Sequence, residues 1–245
     1  VPAGVLQAVE DTAVGIGSIQ VTDADATAKG SLQVSLSCLH GELTFTNMST
    51  STWLKFESGT GTADASMVFV GSVMGINDAL KTLQYRSAAN WNSVSSGHDT
   101  ITVTVNDKGN TGSGGQQITT KVLSVFVSAV NDAPVVVVPG AQSVNEDAKL
   151  SISGVSVSDA DVDETYGAVL EVSLSVQHGV LALGSVAGLS VTAGSAAGTS
   201  GVMTFRAGLA SANAALSGLS YQGEQDWSGS DVLLVSVSDL GNTGT

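Results

Sequence analysis

The sequence contains little cysteine, few aromatic residues and little charge, and these shortages exclude several classes of protein. Cys38 is the single cysteine among 245 residues, so no disulfide can form within the chain. Aromatic residues make up 4% and charged residues 12%, while small residues and valine fill much of the rest. This composition is typical of short twisted strands joined by tight turns, not of long helices. No apolar run is long enough to span a bilayer.

Positive charge is especially scarce. The chain has 8 Lys and Arg against 22 Asp and Glu, a net charge of −14. Nucleic acid is therefore excluded as a partner, because phosphate binding needs clustered Lys and Arg. The acids crowd the middle of the chain, at Asp132, Glu146, Asp147, Asp159, Asp161, Asp163 and Glu164. Bunched like charge is unfavourable unless a cation neutralises it.

The familiar catalytic motifs are missing. The sequence has no Gly-x-Ser-x-Gly, no His-Glu-x-x-His, no phosphate loop and no dinucleotide fingerprint. His40 and His178 occupy equivalent positions, each followed by glycine, and no nucleophile recurs beside them. Paired carboxylates could indicate a glycosidase, but here the acids recur at strand ends in both halves. The prediction is that the chain is not an enzyme.

The chain repeats itself once. His40-Gly41 returns as His178-Gly179, and several further motifs recur in the same order: Val9-Glu10-Asp11 as Asn145-Glu146-Asp147, Leu83-Gln84-Tyr85 as Leu219-Ser220-Tyr221, Trp91 as Trp227, and Asp107 to Gly112 as Asp239 to Gly244. The period is several times that of solenoid units, which is about 20 to 50 residues. It therefore predicts two whole domains in tandem, residues 1–133 and 134–245.

Apolar residues alternate at period two in both halves, for example over 32–38 and 172–176. With about seven or more short strands per repeat and frequent turn signals, the pattern predicts an all-β protein of two Greek-key β-sandwich domains. Asn131-Asp132-Ala133-Pro134 predicts a short stiff linker. The first repeat continues through an alternating segment, 116–127, that has no counterpart before Thr245. We therefore expect the second repeat to lack its final strand and the polypeptide to continue.

Three local predictions accompany this fold. His40-Gly41 predicts a turn from the strand 32–38 into a hairpin partner, 42–45. Helical spacing predicts short helices over 77–83 and 212–219, and Asn77 is a plausible N-cap.

Paired acids at strand ends suggest a metal site. Asp23 and Asp25 are two residues apart, so their side chains share one face. Only oxygen ligands are nearby, which favours Ca²⁺ over Zn²⁺. Calcium takes about six to eight oxygens, so other segments must contribute. Strand direction predicts that Asp107 joins this pair at one pole of the repeat and that Glu10 and Asp99 lie at the other. As a competing interpretation, the acids are turn formers and N-caps.

The ordered motifs resemble tandem cadherin-like repeats, of the type found in chondroitin sulfate proteoglycans and large microbial surface proteins. The matching motifs are Glu10 and Glu146, Asp23/Asp25 and Asp159/Asp161, Asn106 to Gly109 and Ser238 to Gly241, and the linker Asn131 to Pro134. Two features depart from the cadherin pattern. Ser128-Ala129-Val130 precedes the linker where cadherins have an Asp, and Ala89-Asn90-Trp91 replaces the Asp-Arg-Glu element. The resemblance therefore implies fewer ions per junction than in cadherins.

The predicted calcium ligands form three groups. The inter-repeat site takes Glu10, Asp99, Asn131, Asp132, Asp159, Asp161 and Asp239. A site shared with a preceding repeat takes Asp23, Asp25 and Asp107. Glu146 contributes to a site shared with a following repeat.

Two functions follow as expectations. The first is a segment of a long extracellular, calcium-stiffened, multi-repeat protein that serves adhesion or forms a structural filament. Its partners are neighbouring repeats, with other copies or cell-surface proteins and glycans as further candidates. The alternative is a glycan-binding surface module in which Trp91 or Trp227 stacks on sugar and calcium is incidental.

Overall fold

The computed structural model describes residues 4–17, 19–24, 30–47, 54–109, 114–162 and 167–241. The chain divides into two compact units, Val1–Val130 and Asn131–Thr245. The predicted boundary falls between Ala133 and Pro134, close to this division. The described residues include no helix long and apolar enough to cross a membrane.

Unit 1 is an all-β sandwich. Its described elements are β1 (Val5–Val9), β2 (Val14–Gly15), β3 (Leu32–Cys38), β4 (Gly41–Phe45), β5 (Lys55–Ser58), β6 (Ser66–Gly71), α1 (Val73–Leu80), β7 (Leu83–Ser87), α2 (Ser93–Ser96), β8 (Asp99–Asn106) and β9 (Ile118–Ser128). One sheet has the order β1-β9-β8-β3-β6-β5 and the other has the order β2-β7-β4. Neighbouring strands are antiparallel except β1 and β9, which are parallel.

Unit 2 is also an all-β sandwich. Its described elements are β10 (Val135–Val137), β11 (Lys149–Ser151), β12 (Ser156–Ser158), β13 (Leu170–Ser175), β14 (Gly179–Ala182), β15 (Ser190–Gly194), β16 (Ala197–Ser200), β17 (Val202–Ala207), α3 (Leu209–Leu216), β18 (Ser220–Gly223) and β19 (Leu234–Ser238). Two four-stranded sheets have the orders β11-β18-β14-β16 and β15-β17-β13-β19, and β10 pairs with β12. The predicted fold class is confirmed in each unit.

The apolar residues of the period-two pattern fill the core of each unit. In β3, Leu32, Val34 and Leu36 are fully buried while the serines and glutamine between them are half-buried. Successive side chains of a strand point to opposite faces, so alternation in the sequence becomes one buried face. Leu170, Val172 and other residues of β13 repeat this pattern in unit 2.

The hairpin prediction is wrong. The strand β3 pairs with β6 and β8, whereas β4 pairs with β7 in the other sheet. His40-Gly41 is therefore the corner at which the chain crosses between sheets. Its second residue must be glycine for a steric reason. A Cβ on Gly41 would lie 2.6 Å from Tyr85 Cε2 and closer still to the carbonyl oxygen of Arg86.

The same corner recurs in unit 2. A Cβ on Gly179 would lie 2.6 Å from Tyr221 Cε2 and 2.5 Å from the carbonyl oxygen of Gln222. Distances below 3.0 Å from backbone atoms force the chain to move. The repeated His-Gly motif thus reflects a close approach of backbone and tyrosine ring.

The helices begin earlier than predicted, and Asn77 is not an N-cap. The N-cap of α1 is Ser72, whose Oγ accepts a hydrogen bond from Gly75 N at 3.2 Å. Asn77 instead lies within α1, and its side chain bonds both backbone groups of Val21, with Nδ2 donating to the carbonyl oxygen (2.9 Å) and Oδ1 accepting from the amide (2.8 Å). Asn213 in α3 holds Val157 in the same way.

The corner glycines can be tested by substitution. We expect Gly41→Ala and Gly179→Ala each to lower the free energy of unfolding of its own unit by about 2–3 kcal/mol, the cost of overpacking. Gly15→Ala and Gly140→Ala are matched controls, because a Cβ at either position meets nothing within 4 Å. Denaturant titration of all four variants checks this. Equal losses in corner and control variants would contradict the steric explanation.

Candidate metal centre and the repeated turn aspartates

The acidic pair of unit 2 lies just after β12. Asp159 Oδ1 accepts hydrogen bonds from the amides of Asp161 (3.0 Å) and Val162 (3.1 Å), which closes a tight turn. Asp159 Oδ2 is buried and has no hydrogen-bond partner. A buried carboxylate oxygen without a partner is costly, so this atom is a candidate cation ligand among the described acids of unit 2.

Two further acids hold the segment that begins unit 2. Asp161 is only 2% exposed, and its Oδ2 accepts a hydrogen bond from the Asp132 amide at 2.6 Å. Asp239 follows β19; its Oδ2 accepts from the Asn131 side-chain amide and its Oδ1 from the Gly241 amide. The Asn131 hydrogen bond is the main cause of the lowered pKa of Asp239. Hydrogen bonds therefore hold Asn131 and Asp132 against Asp239 and Asp161.

In unit 1 the corresponding acids are Asp23, Asp25 and Asp107. Asp107 Oδ1 accepts from the amides of Gln117 (2.7 Å) and Gly109 (2.9 Å), and these bonds lower the pKa of Asp107. Asp23 is half-buried, and Asp25 lies outside the described residues. Asp107 follows β8 and Asp99 begins it, so the two acids lie at opposite ends of that strand.

Glu10 closes the other end of unit 1. It is 1% exposed; Oε1 accepts from the Val130 amide and Oε2 from the Asn92 side chain at 3.2 Å. Its counterpart Glu146 is exposed in unit 2. The two glutamates match in sequence but differ in environment, because Glu10 lies beside the end of β9.

Asp99 is a fully buried acceptor at the sheet-crossing corner. It accepts hydrogen bonds from the amides of Leu39 and His40 (both 3.1 Å), from the Thr100 amide (2.6 Å) and from the Tyr85 hydroxyl (2.7 Å). Both oxygens are therefore used by protein donors. Burial, and then the contact with the Asp99 carboxylate, raise the pKa of Tyr85, which keeps the hydroxyl protonated as a donor.

Asp231 repeats this arrangement in unit 2, and the sequence analysis missed it. It accepts from the amides of Gln177 (3.0 Å), His178 (2.8 Å) and Val232 (2.8 Å) and from the Tyr221 hydroxyl (3.1 Å). Burial alone would raise the pKa of Asp231, but these donors together lower it. The recurrence of Tyr and Asp in both repeats was the signal available in the sequence. We call Asp99 and Asp231 the turn aspartates.

A histidine stacks on a tryptophan at each corner. His40 lies against Trp91 with ring centroids 4.6 Å apart, and His178 lies against Trp227 at 4.5 Å. Both indoles are half-buried. One face of each tryptophan is thus covered by the protein's own imidazole, which leaves less aromatic surface for stacking on a sugar.

The described residues do not form a complete metal site by themselves. Among them, no three His, Cys, Asp or Glu side chains lie together closely enough to hold a metal ion. The oxygen chemistry of Asp159, Asp161 and Asp239 fits calcium, but these carboxylates do not by themselves provide six to eight ligands. All the calcium ligands named from the sequence stay predictions.

Two solved structures show a remote likeness to the chain. No protein-family model matches the chain, and no curated protein matches it. A protocadherin gammaB7 EC3-6 cis-dimer structure is 16% identical over 96% of this chain, with a TM-score of 0.29. The chain spans 45% of the length of that protein. The titin z1z2 domains in complex with telethonin are 8% identical, covering 84% of this chain and 77% of theirs, with a TM-score of 0.16.

Asp231 predicts a pH dependence of the stability of unit 2. An unfolded aspartate has a pKa of about 3.9, and folding lowers the pKa of Asp231. Its stabilisation is therefore present above about pH 4 and lost as the pH falls through the lower folded value. We expect Asp231→Asn, which places an NH₂ group against N–H donors, to lower the Tm of unit 2 by roughly 3–8 °C near neutral pH.

Calorimetry at several pH values checks this prediction. The difference from the unsubstituted chain should shrink as the pH falls below about 4. Asp226→Asn, an exposed acid of the same loop, is the control. A Tm difference that stays constant down to acidic pH would contradict the role of the ionised carboxylate.

Proposed function

We propose that the chain is a calcium-stiffened segment of a long extracellular protein that serves adhesion or builds a structural filament. The observation that supports this most directly is the arrangement around Asp159. A buried carboxylate oxygen has no partner, Asp161 is almost completely buried two residues later, and the linker segment is bonded to the same end of the sandwich. Such an end favours a hard divalent cation.

In this proposal Asp159, Asp161 and Asp239 hold Ca²⁺, with oxygens of the Asn131-Asp132 segment completing part of the shell. Calcium held there would neutralise the charge of these carboxylates. Two hydrogen bonds limit the conformations open to the linker. The Asn131 side-chain amide donates to Asp239, and the Asp132 backbone amide donates to Asp161. Proline at position 134 restricts it further.

The proposed role is structural and adhesive, not catalytic. Each unit is a sandwich with its own core, so repeats can be added in series without altering the interior of any one. Neighbouring repeats of the same polypeptide are the first partners. Further proposed partners are other copies of the chain and the proteins or glycans of a cell surface.

Calcium binding is tested by calorimetry with Asp161→Asn. We expect Ca²⁺ at about 100 times its Kd to stabilise unit 2 by about 2.7 kcal/mol. The Asp161→Asn substitution removes one ligand charge and should weaken binding by about tenfold or more. Asp226→Asn alters an exposed acid that is not among the proposed ligands, and this variant should bind calcium like the unsubstituted chain. Identical melting of that chain in excess calcium and in excess chelator would remove calcium from the proposal.

Stiffening of the linker is tested separately, with spin labels. Burial raises the pKa of Cys38 to about 12, so the native thiol stays protonated and unreactive. Thr119→Cys and Ser190→Cys introduce exposed labelling sites, one in each unit. We expect Asp161→Ala to broaden the distance distribution in calcium and Asp25→Ala to leave it unchanged. Equal broadening in both variants, or in neither, would contradict the assignment of Asp161 to this linker.

A further inference from the structure

An asparagine occupies the same position in the helix of each unit. Asn77 lies within α1 and Asn213 within α3, whereas the next residue differs, being Asp78 in α1 and Ala214 in α3. Asparagine is less favourable than alanine inside a helix, because its side chain competes for nearby backbone hydrogen bonds. An asparagine at this position in both units therefore points to a partner outside the helix.

Each asparagine bonds the backbone of a single residue in the way that a neighbouring strand would. Asn213 Nδ2 donates to the Val157 carbonyl oxygen and Asn213 Oδ1 accepts from the Val157 amide, both at 2.8 Å. Asn77 makes the same two hydrogen bonds to Val21. Facing residues of an antiparallel strand pair exchange two such bonds. The asparagine side chain thus takes the place of a strand partner.

The backbone of Val157 depends on this side chain. Among the described strands, β12 pairs with β10 alone, so one edge of β12 faces α3. Val157 is 4% exposed and belongs to the core of unit 2. Buried backbone N–H and C=O groups without partners are costly. Asn213 satisfies both groups and thereby fixes β12 relative to α3.

The acidic turn of unit 2 follows directly after this anchor. Asp159 is two residues beyond Val157, which is about 7 Å along an extended chain. On the other side of the turn, Val162 is 6% exposed and packs in the core. Hydrogen bonds from the Asp161 and Val162 amides to Asp159 Oδ1 close the turn. The turn is therefore held at both ends, by the core through Val162 and by Asn213 through Val157.

We propose that Asn213 is a positioning residue for the cation site of unit 2. By holding the backbone of Val157, it sets where Asp159 Oδ2, the buried oxygen without a partner, stands. Asn213 is not one of the proposed ligands and acts through the main chain. This inference rests on the calcium site proposed above and adds the residue of α3 that shapes it.

The rigidity of the turn determines the expected effect. Calcium affinity depends on the charge of the ligands and on the rigidity of the site. A turn that moves freely must be ordered when the ion binds, and this ordering opposes binding. Loss of a residue that orients a metal ligand typically weakens metal binding by about 10- to 100-fold. Because Asn213 acts through the main chain, we expect the lower end of this range.

Asn213→Ala in the full chain tests the proposal, because it removes both hydrogen bonds and leaves a good helix former. The Asp161 and Val162 amide resonances report calcium binding at this turn alone. We expect a titration followed at these resonances to give a Kd for Ca²⁺ about tenfold higher than in the unsubstituted chain. In chelator, without calcium, hydrogen exchange of the same two amides should be about fivefold faster, because the turn opens more often.

Two control variants separate positioning from stability. Ala212→Gly changes a buried neighbour in α3 and leaves Asn213 in place. It should lower the Tm of unit 2 by roughly 3–8 °C, as Asn213→Ala should, but keep the Kd within about twofold. Asn77→Ala removes the equivalent side chain from unit 1 and should leave the Kd and the exchange rates at the turn of unit 2 unchanged.

A longer side chain provides a second variant at the same position. Asn213→Gln keeps the carboxamide but adds one methylene, so both hydrogen bonds cannot form unless Val157 moves. We expect it to raise the Kd by about threefold or more. Should Asn213→Ala fail to fold, the comparison of Asn213→Gln with Ala212→Gly decides.

The outcomes separate this inference from the calcium site on which it rests. If calcium shifts neither the Asp161 nor the Val162 resonance of the unsubstituted chain, both are overturned. If calcium binds but Asn213→Ala and Ala212→Gly have the same Kd, the calcium site stands and the positioning role is overturned. Unchanged exchange of the two amides in chelator would also overturn that role. A higher Kd and faster exchange in Asn213→Ala, with neither change in Ala212→Gly or Asn77→Ala, support it.

Discussion

A turn aspartate, fully buried in unit 1 and half-buried in unit 2, organises the corner of each sandwich. At the corner where the chain leaves one sheet for the other, backbone amides would be left without partners, and the carboxyl group accepts hydrogen bonds from two of them and from a tyrosine hydroxyl. Hydrogen bonds to a charged acceptor are among the strongest in proteins, and losing a buried one leaves several donors unsatisfied at once. The neighbouring glycine, the tyrosine ring and the stacked His–Trp pair all take their positions around this carboxylate.

The described aspartates at these turns fall into two kinds, which differ in the hydrogen bonds that their carboxylate oxygens accept. Asp99 and Asp231 have both oxygens occupied by protein donors, which is a structural role. Asp159 and Asp161 form a tight turn in which one oxygen is buried without a partner. In the proposed function the second kind holds the cation. Residue type and position at a strand end do not separate the two, because the difference lies in which amides reach each oxygen.

Because the sequence is duplicated, a residue of one unit can be compared with its counterpart in the other. Equivalent residues occur in both units, so a difference in their environment has an identifiable cause. Tyr85 and Tyr221 both donate to a turn aspartate, yet only Tyr85 is fully buried. Glu10 is buried against Asn92 and Val130, while Glu146 is exposed. Glu10 lies at the end of β9, where its amide donates a hydrogen bond to the carbonyl oxygen of Ser128.

The sequence by itself determined the all-β class and the division into two repeats, because period-two alternation and an ordered duplication are local patterns that the chain carries whatever its neighbours. It also indicated the strand ends at which acids collect. Only the tertiary structure decided that β3 and β4 lie in different sheets, that Asn77 binds Val21 instead of capping α1, and that Asp231 holds a corner. Those outcomes depend on residues distant along the chain, whose approach no local pattern encodes.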